Sequence, residues 1–125
     1  MEKRRSIDVA GARHVNPIPS ASRRGPFVVS GAISGADPAT GKVPEDLDAQ
    51  CAAMFANVRR VIETAGGTPD DIVKMNVWIT DRALRPIMNK YWVEMFPDSA
   101  SRPARHTIAS GDFRRRCRFN AICWR

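Results

Sequence analysis

Two stretches decide how the chain is read: DLDAQCAAMFANVRRVIETAGG, residues 46–67, and IVKMNVWIT, residues 72–80. In the first, Leu47, Cys51, Met54, Val58, Val61, Ile62 and Ala65 follow at steps of four, three, four, three, one and three. That is one apolar stripe of a helix with a 3.6-residue period. Gln50, Asn57, Arg59, Arg60 and Glu63 lie mostly off the stripe. Glu45, Asp46 and Asp48 crowd its start, where the helix dipole favours negative charge, and Gly66-Gly67 supplies the stop. The stripe reads as core, not as a cofactor box. In the second stretch Val73, Met75, Val77 and Ile79 alternate with Lys74, Asn76 and Trp78, which predicts a strand with one buried face. A tryptophan on its polar face implies that this face meets something, such as another subunit.

Toward the C-terminus, Pro86 is tolerated only in a first helical turn, so a second helix starts near Arg85. Met88, Trp92, Met95 and Phe96 mark its buried side and Pro97 ends it. A strand is expected from Arg105 to Ala109, and a last one from Cys117 to Trp124, where Cys117, Phe119, Ala121 and Cys123 share a face. Toward the N-terminus, Ile7 and Val9 alternate as a first strand, Ser20 to Arg23 is a short one, and Phe27 to Gly31 is a compact apolar one. Asn16-Pro17-Ile18-Pro19 is extended and rigid, with either X-Pro bond open to the cis form. Gly31 suits close approach of a backbone or ligand. Two amphipathic helices separated by a strand suit an α+β domain: a mixed sheet with both helices on one face. Apolar residues left on the other face call for burial by self-association.

A chain of 125 residues is the length of one domain, taken here as 1–125, and at 43% apolar it can fill a core. No apolar run approaches a membrane span. No apolar signal segment follows the charged start Met1-Glu2-Lys3-Arg4-Arg5, so the cytoplasm is the expected location. Cys51, Cys117 and Cys123 with His14 and His106 offer no metal-ligand spacing, so no metal site is expected. The net charge of +7 is uneven: residues 1–24 carry six Lys/Arg and two acids, 25–112 nine and eleven, and 113–125 five and none. The basic character belongs to the ends. That argues against nucleic acid, which needs a basic stripe on a folded face.

The stretch Ser101-Arg102-Pro103-Ala104-Arg105-His106-Thr107-Ile108 carries the chemistry. Proline stiffens the lead, and Arg105 stands at the mouth of the strand. A guanidinium there is a fixed fork suited to a carboxylate. Alone, the same arginine reads equally as a solvated surface charge or an ion-pair member. Strand alternation sends His106 to the opposite side.

Taken jointly, several motifs resemble the Rid family of reactive intermediate deaminases (YjgF). They are Pro26-Phe27-Val28-Val29-Ser30-Gly31, Gly66-Gly67 with Asp70-Asp71-Ile72-Val73-Lys74, Asn89, Phe96-Pro97 and Pro103-Ala104-Arg105, in matching order over residues 14–110. The resemblance implies a chorismate-mutase-like fold and a homotrimer with sheet faces inward and ligand clefts between subunits. It implies hydrolysis of enamines and imines to ketoacids and ammonia, with no metal or organic cofactor. Arg105 matches the arginine that holds the substrate carboxylate. Ser30 and Gly31 match a cleft-lining pair, the other reading being a tight strand end. Asn89 matches an asparagine near the cleft, the other reading being a helix-surface amide. Thr107 matches a position often held by a small polar residue or cysteine.

Two departures bear on catalysis. Ile18, in Asn16-Pro17-Ile18, stands where the family has a tyrosine, and Asn120 stands nearest a glutamate that handles the catalytic water. Gly111 to Arg116 replaces the usual Pro-Gly lead. An amide does not exchange a proton near neutral pH as a carboxylate does. Three readings follow: a deaminase of carboxylate-bearing imines, a carboxylate-binding relative without efficient turnover, and an RNA-binding or ribonuclease-like protein supported only by the arginine-rich ends.

Overall fold

The computed structural model describes residues 2–11 and 14–110, and the backbone of 119–124. Cys117 and the 111–116 lead lie outside these. The first helix, α1 (Leu47–Thr64), forms where the stripe predicts it. Asp46 caps its start by accepting from the Ala49 N–H at 2.8 Å. At its end Gly66 takes φ +88°. The Gly66 N–H donates to Glu63 O and the Gly67 N–H to Ile62 O, both at 2.9 Å, which satisfies two end carbonyls in a Schellman motif. The second helix, α2 (Arg85–Met95), carries Pro86 in its first turn and buries Met88 and Trp92. Phe55 of α1 meets Tyr91 of α2 at 6.4 Å between ring centroids.

Seven strands are described: β1 (Arg5–Ile7), β2 (Ala21–Arg24), β3 (Phe27–Ser30), β4 (Ile33–Ser34), β5 (Lys74–Ile79), β6 (Ala104–Ala109) and β7 (Phe119–Trp124). They form one sheet in the order β1-β2-β3-β7-β5-β6, with β4 also paired to β7. Only β5 and β6 run parallel; the other pairings are antiparallel. The expected α+β architecture is present. The first strand ends at Ile7, so the expected Val9 lies just beyond it, and β4 has no counterpart among the expected strands because two residues carry no period. Both X-Pro bonds at 16–19 are trans.

The core lies between the sheet and the helices. Met75, Val77 and Ile79 of β5 are fully buried against α1 residues such as Met54 and Val58. The opposite face is open: Phe27 is 69% exposed and Val29 46%. On that face Asn76 Oδ1 is buried without a hydrogen-bond partner among the described residues.

Asp48 of α1 ties the two helices together. It accepts from Lys90 Nζ at 2.7 Å and from the Tyr91 hydroxyl. The Lys90 hydrogen bond first, then that of Tyr91, holds the Asp48 carboxyl below its usual range. A depressed carboxyl stabilises the fold above its unfolded pKa, and that contribution is lost as pH falls through the folded value. Acid-induced unfolding below about pH 4 should therefore include this group. Asp48→Asn should give a shallower acid limb in a plot of Tm against pH, while Asp46→Asn should not copy the loss of the Lys90 link.

Cys51 is fully buried in the same region. Burial first, then the nearby Asp48 carboxylate, pushes its thiol up to about 12. A thiol so placed is inert. Iodoacetamide at neutral pH should leave Cys51 unlabelled in the native protein and label it in denaturant, as read by peptide mass spectrometry.

Candidate functional site

Arg105 is the second residue of β6 and pairs with the buried Met75 of β5. In-register parallel neighbours share a face, so Arg105 and Thr107 lie with Met75 and Val77 on the helix side, and His106 lies with Asn76 on the open side. Both Arg105 and Thr107 are half-buried, and His106 is exposed. The Arg105 guanidinium sits 4.9 Å from the centre of the Trp92 ring and donates through Nη1 to Met88 Sδ at 3.0 Å. Neither contact neutralises its charge, and among the described residues it has no acidic partner. Burial first, then the charge of Arg85, holds its pKa below the usual arginine value. A half-desolvated cation without an anion is the electrostatic signature of an anion site.

Pro103 behind it is buried, as a stiff lead requires. Its α2 seat, Met88 and Trp92, reads from sequence only as core; their second role as the bed of a guanidinium needs the β6 register to be seen. Asn89 follows Met88 on α2 and is exposed.

Ser30 and Gly31 lie elsewhere in the sheet. Val29 pairs with Trp124, and Ile33 with Ala121. Four steps from Val29 to Ile33 thus face three steps on β7, which places an extra residue in the Ser30-Gly31-Ala32 segment. This is a β-bulge, a device that re-aims a strand and is frequent beside functional sites. Gly31 is exposed and its N–H donates to Ser20 O at 2.9 Å. A Cβ on Gly31 would meet only ordinary contacts, Pro19 O and Ser20 O at 3.7 Å. The tightest backbone approach to a described glycine is at Gly35, where a Cβ would stand 2.4 Å from Gln50 O.

A cavity of about 260 Å³ opens beside the bulge, lined by Val9, Ile18, Pro19, Gly31 and Ile33 among others. Ile18 is 53% exposed at its rim. Asn120 pairs with Trp78 and Ser34 through the backbone. Val29, Trp124, Lys74 and Ala104 occupy one row across β3, β7, β5 and β6. Ser30 and Arg105 therefore stand three strand spacings apart, about 14 Å. One chain separates the bulge with Ile18 from Arg105 with Thr107 and Asn89, rather than bringing them together. No group of acidic, histidine or cysteine side chains suited to a metal occurs among the described residues, and no described helix is long and apolar enough to cross a membrane.

Known proteins resemble the chain in both sequence and fold. The family model for endoribonuclease L-PSP matches residues 15–119. A RutC family protein of Aquifex aeolicus (strain VF5) is 36% identical over 80 residues, which cover 64% of this chain and 63% of that protein. The aligned segment thus spans under two thirds of that relative. RidA from the Antarctic bacterium Psychrobacter sp. PAMC 21119 superimposes with a TM-score of 0.87 at 26% identity, over 96% of this chain and 97% of that one. YyfA of Yersinia pestis, of the Rid protein family, gives a TM-score of 0.89 at 22% identity over 98% of each chain and supports the fold.

Proposed function

Because this chain belongs to the Rid (YjgF) family, that of endoribonuclease L-PSP, we propose that it is an imine and enamine deaminase acting on small carboxylate-bearing intermediates. The observation that carries this reading is Arg105: a half-buried guanidinium, bedded on Trp92 and Met88, with no acid of its own among the described residues. A substrate carboxylate fits a fork of this kind with two parallel hydrogen bonds.

Hydrolysis adds water across C=N and releases ammonia, leaving C=O. Water attacks the imine carbon, its protons pass to nitrogen, and the C–N bond breaks. An iminium carbon is already electrophilic, so holding it beside a water supplies much of the acceleration. Arg105 fixes the carboxylate end. Thr107, two residues on and on the same face, and the backbone at the Gly31 bulge are the groups assigned to place the reacting carbon and the water. Asn120 in place of a carboxylate leaves proton transfer to solvent, so turnover is expected to be slow.

The 14 Å between the two half-sites, about three strand spacings, requires that a second copy complete the cleft. The open sheet face, with exposed Phe27 and Val29 and the unpartnered Asn76 carbonyl, favours a homotrimer closed through these faces. The test is ammonia release from freshly generated 2-iminoacids, with mass measured by light scattering on the same sample. A trimer that accelerates the release supports the reading; a monomer or an inert trimer overturns it. The inert trimer is the result expected of the second reading, a carboxylate binder without turnover, which the replacements at Ile18 and Asn120 favour.

A further inference from the structure

Arg85 opens α2, and Met88, Asn89 and Trp92 follow it at three, four and seven residues. At 3.6 residues per turn these four share one stripe of the helix. Arg105 lies along that same stripe, with Nη1 on Met88 Sδ and its guanidinium over Trp92. Arg85 stands three residues before Met88, about 4.5 Å along the helix axis. It is exposed, and its side chain makes no hydrogen bond or ion pair among the described residues. The nearest acid in sequence, Asp81, is spent on the Ala83 N–H at 2.9 Å. Lys90 and Glu94 point away from the stripe by periodicity, and Lys90 is bound to Asp48.

We propose that Arg85 is a specificity residue that binds a second anionic group, and that the favoured substrates are dicarboxylic 2-iminoacids rather than monocarboxylic ones. Two cations, one on α2 and one on β6, beside the same helix stripe with no anion between them repel each other. The repulsion is felt at Arg105, whose proton affinity is lowered by burial and then by Arg85. A dianion spanning the pair removes it and gains two charge-assisted contacts. A monocarboxylate satisfies Arg105 and leaves Arg85 to water. Arg85 starts about one helical turn from Met88, where Arg105 is seated, and its long side chain can reach the second carboxylate of a four- or five-carbon skeleton. The reaction class that supplies such a substrate is two-electron oxidation of the Cα–N bond of an acidic amino acid, with an electron acceptor taking the hydride.

This inference rests on the deaminase reading, and the experiment separates the two. Iminoacids are generated in place by an amino-acid oxidase from aspartate or glutamate and, in parallel, from leucine or methionine. Ammonia release is measured for the wild type, Arg85→Gln and Arg85→Lys. The wild type should prefer the dicarboxylic substrates. Arg85→Gln should lower the ratio of kcat/KM for dicarboxylic over monocarboxylic substrates about tenfold, mainly through KM, and Arg85→Lys should restore part of it. An unchanged ratio in Arg85→Gln overturns the inference and leaves the deaminase reading standing. If the wild type turns over no iminoacid, the deaminase reading falls. Calorimetry with 2-oxoglutarate and 2-oxobutyrate then decides the arginine pair: a preference for the dianion that Arg85→Gln abolishes supports it, and equal affinities overturn it.

Discussion

Arg105→Ala should abolish most 2-iminoacid hydrolysis, lowering kcat/KM by two to three decades while the protein still assembles. The magnitude follows from the hydrogen bonds that the alanine cannot make. Two charge-assisted hydrogen bonds to a carboxylate contribute about 3–4 kcal/mol together, and each ~1.4 kcal/mol is tenfold in rate. Removing the side chain also removes its stacking on Trp92, a loss of about 1 kcal/mol of stability. Tm should therefore fall by only a few degrees, and the activity loss is read against that. Arg105→Lys keeps the charge but not the fork, and should recover part of the affinity without the orientation. Wild-type rates in Arg105→Ala would remove the basis of the proposed function.

Gly35→Ala is expected to be the most damaging small substitution in the described chain. The added Cβ would stand 2.4 Å from Gln50 O and 3.2 Å from Gln50 C, both backbone atoms. Gln50 cannot yield: it is 1% exposed on α1 and donates to Pro44 O at 3.0 Å. Asn57, about two turns further along the same helical face, donates to Ser34 O and Ala36 O at 2.8 and 2.7 Å and pins the same segment to α1. Relief therefore requires the β4 segment to leave the helix, at a cost of about 3 kcal/mol, or roughly 10 °C in Tm. Gly31→Ala is the control. Its Cβ meets nothing closer than 3.7 Å, so Tm should hold while any effect falls on the cleft. A thermal scan in which Gly35→Ala melts with the wild type would show that the contact relaxes freely.

The contrast between these two glycines shows where sequence reading stops. Both follow an apolar strand, and nothing local distinguishes them. The demand on Gly35 comes from Gln50, fifteen residues away on another element, and is visible only once α1 is docked. Elements with strong periods were legible: the α1 stripe, the β5 alternation and the Pro86 start of α2 all form where expected. β4 was not, because two residues have no period and its existence depends on β7. Arg105 was legible as a motif, but its bed on Met88 and Trp92 was not, since those residues read simply as core. The bulge at Gly31 is a mismatch between two registers, and no single strand contains it.

The position of β7 has a consequence for how the chain is made. The latest of the described strands lies in the middle of the sheet, between β3 and β5. A nascent chain that has left the ribosome only as far as Ser110 can pair β1, β2 and β3 on one side, and β5 with β6 on the other, but has nothing to join them. Two half-sheets then wait with bare inner edges, each a template for the wrong neighbour. Closure comes when 119–124 slide between them and pair with both at once. The sheet should therefore be completed in one late step, once that strand is free of the ribosome. The risk of misassembly is concentrated in the interval before it emerges.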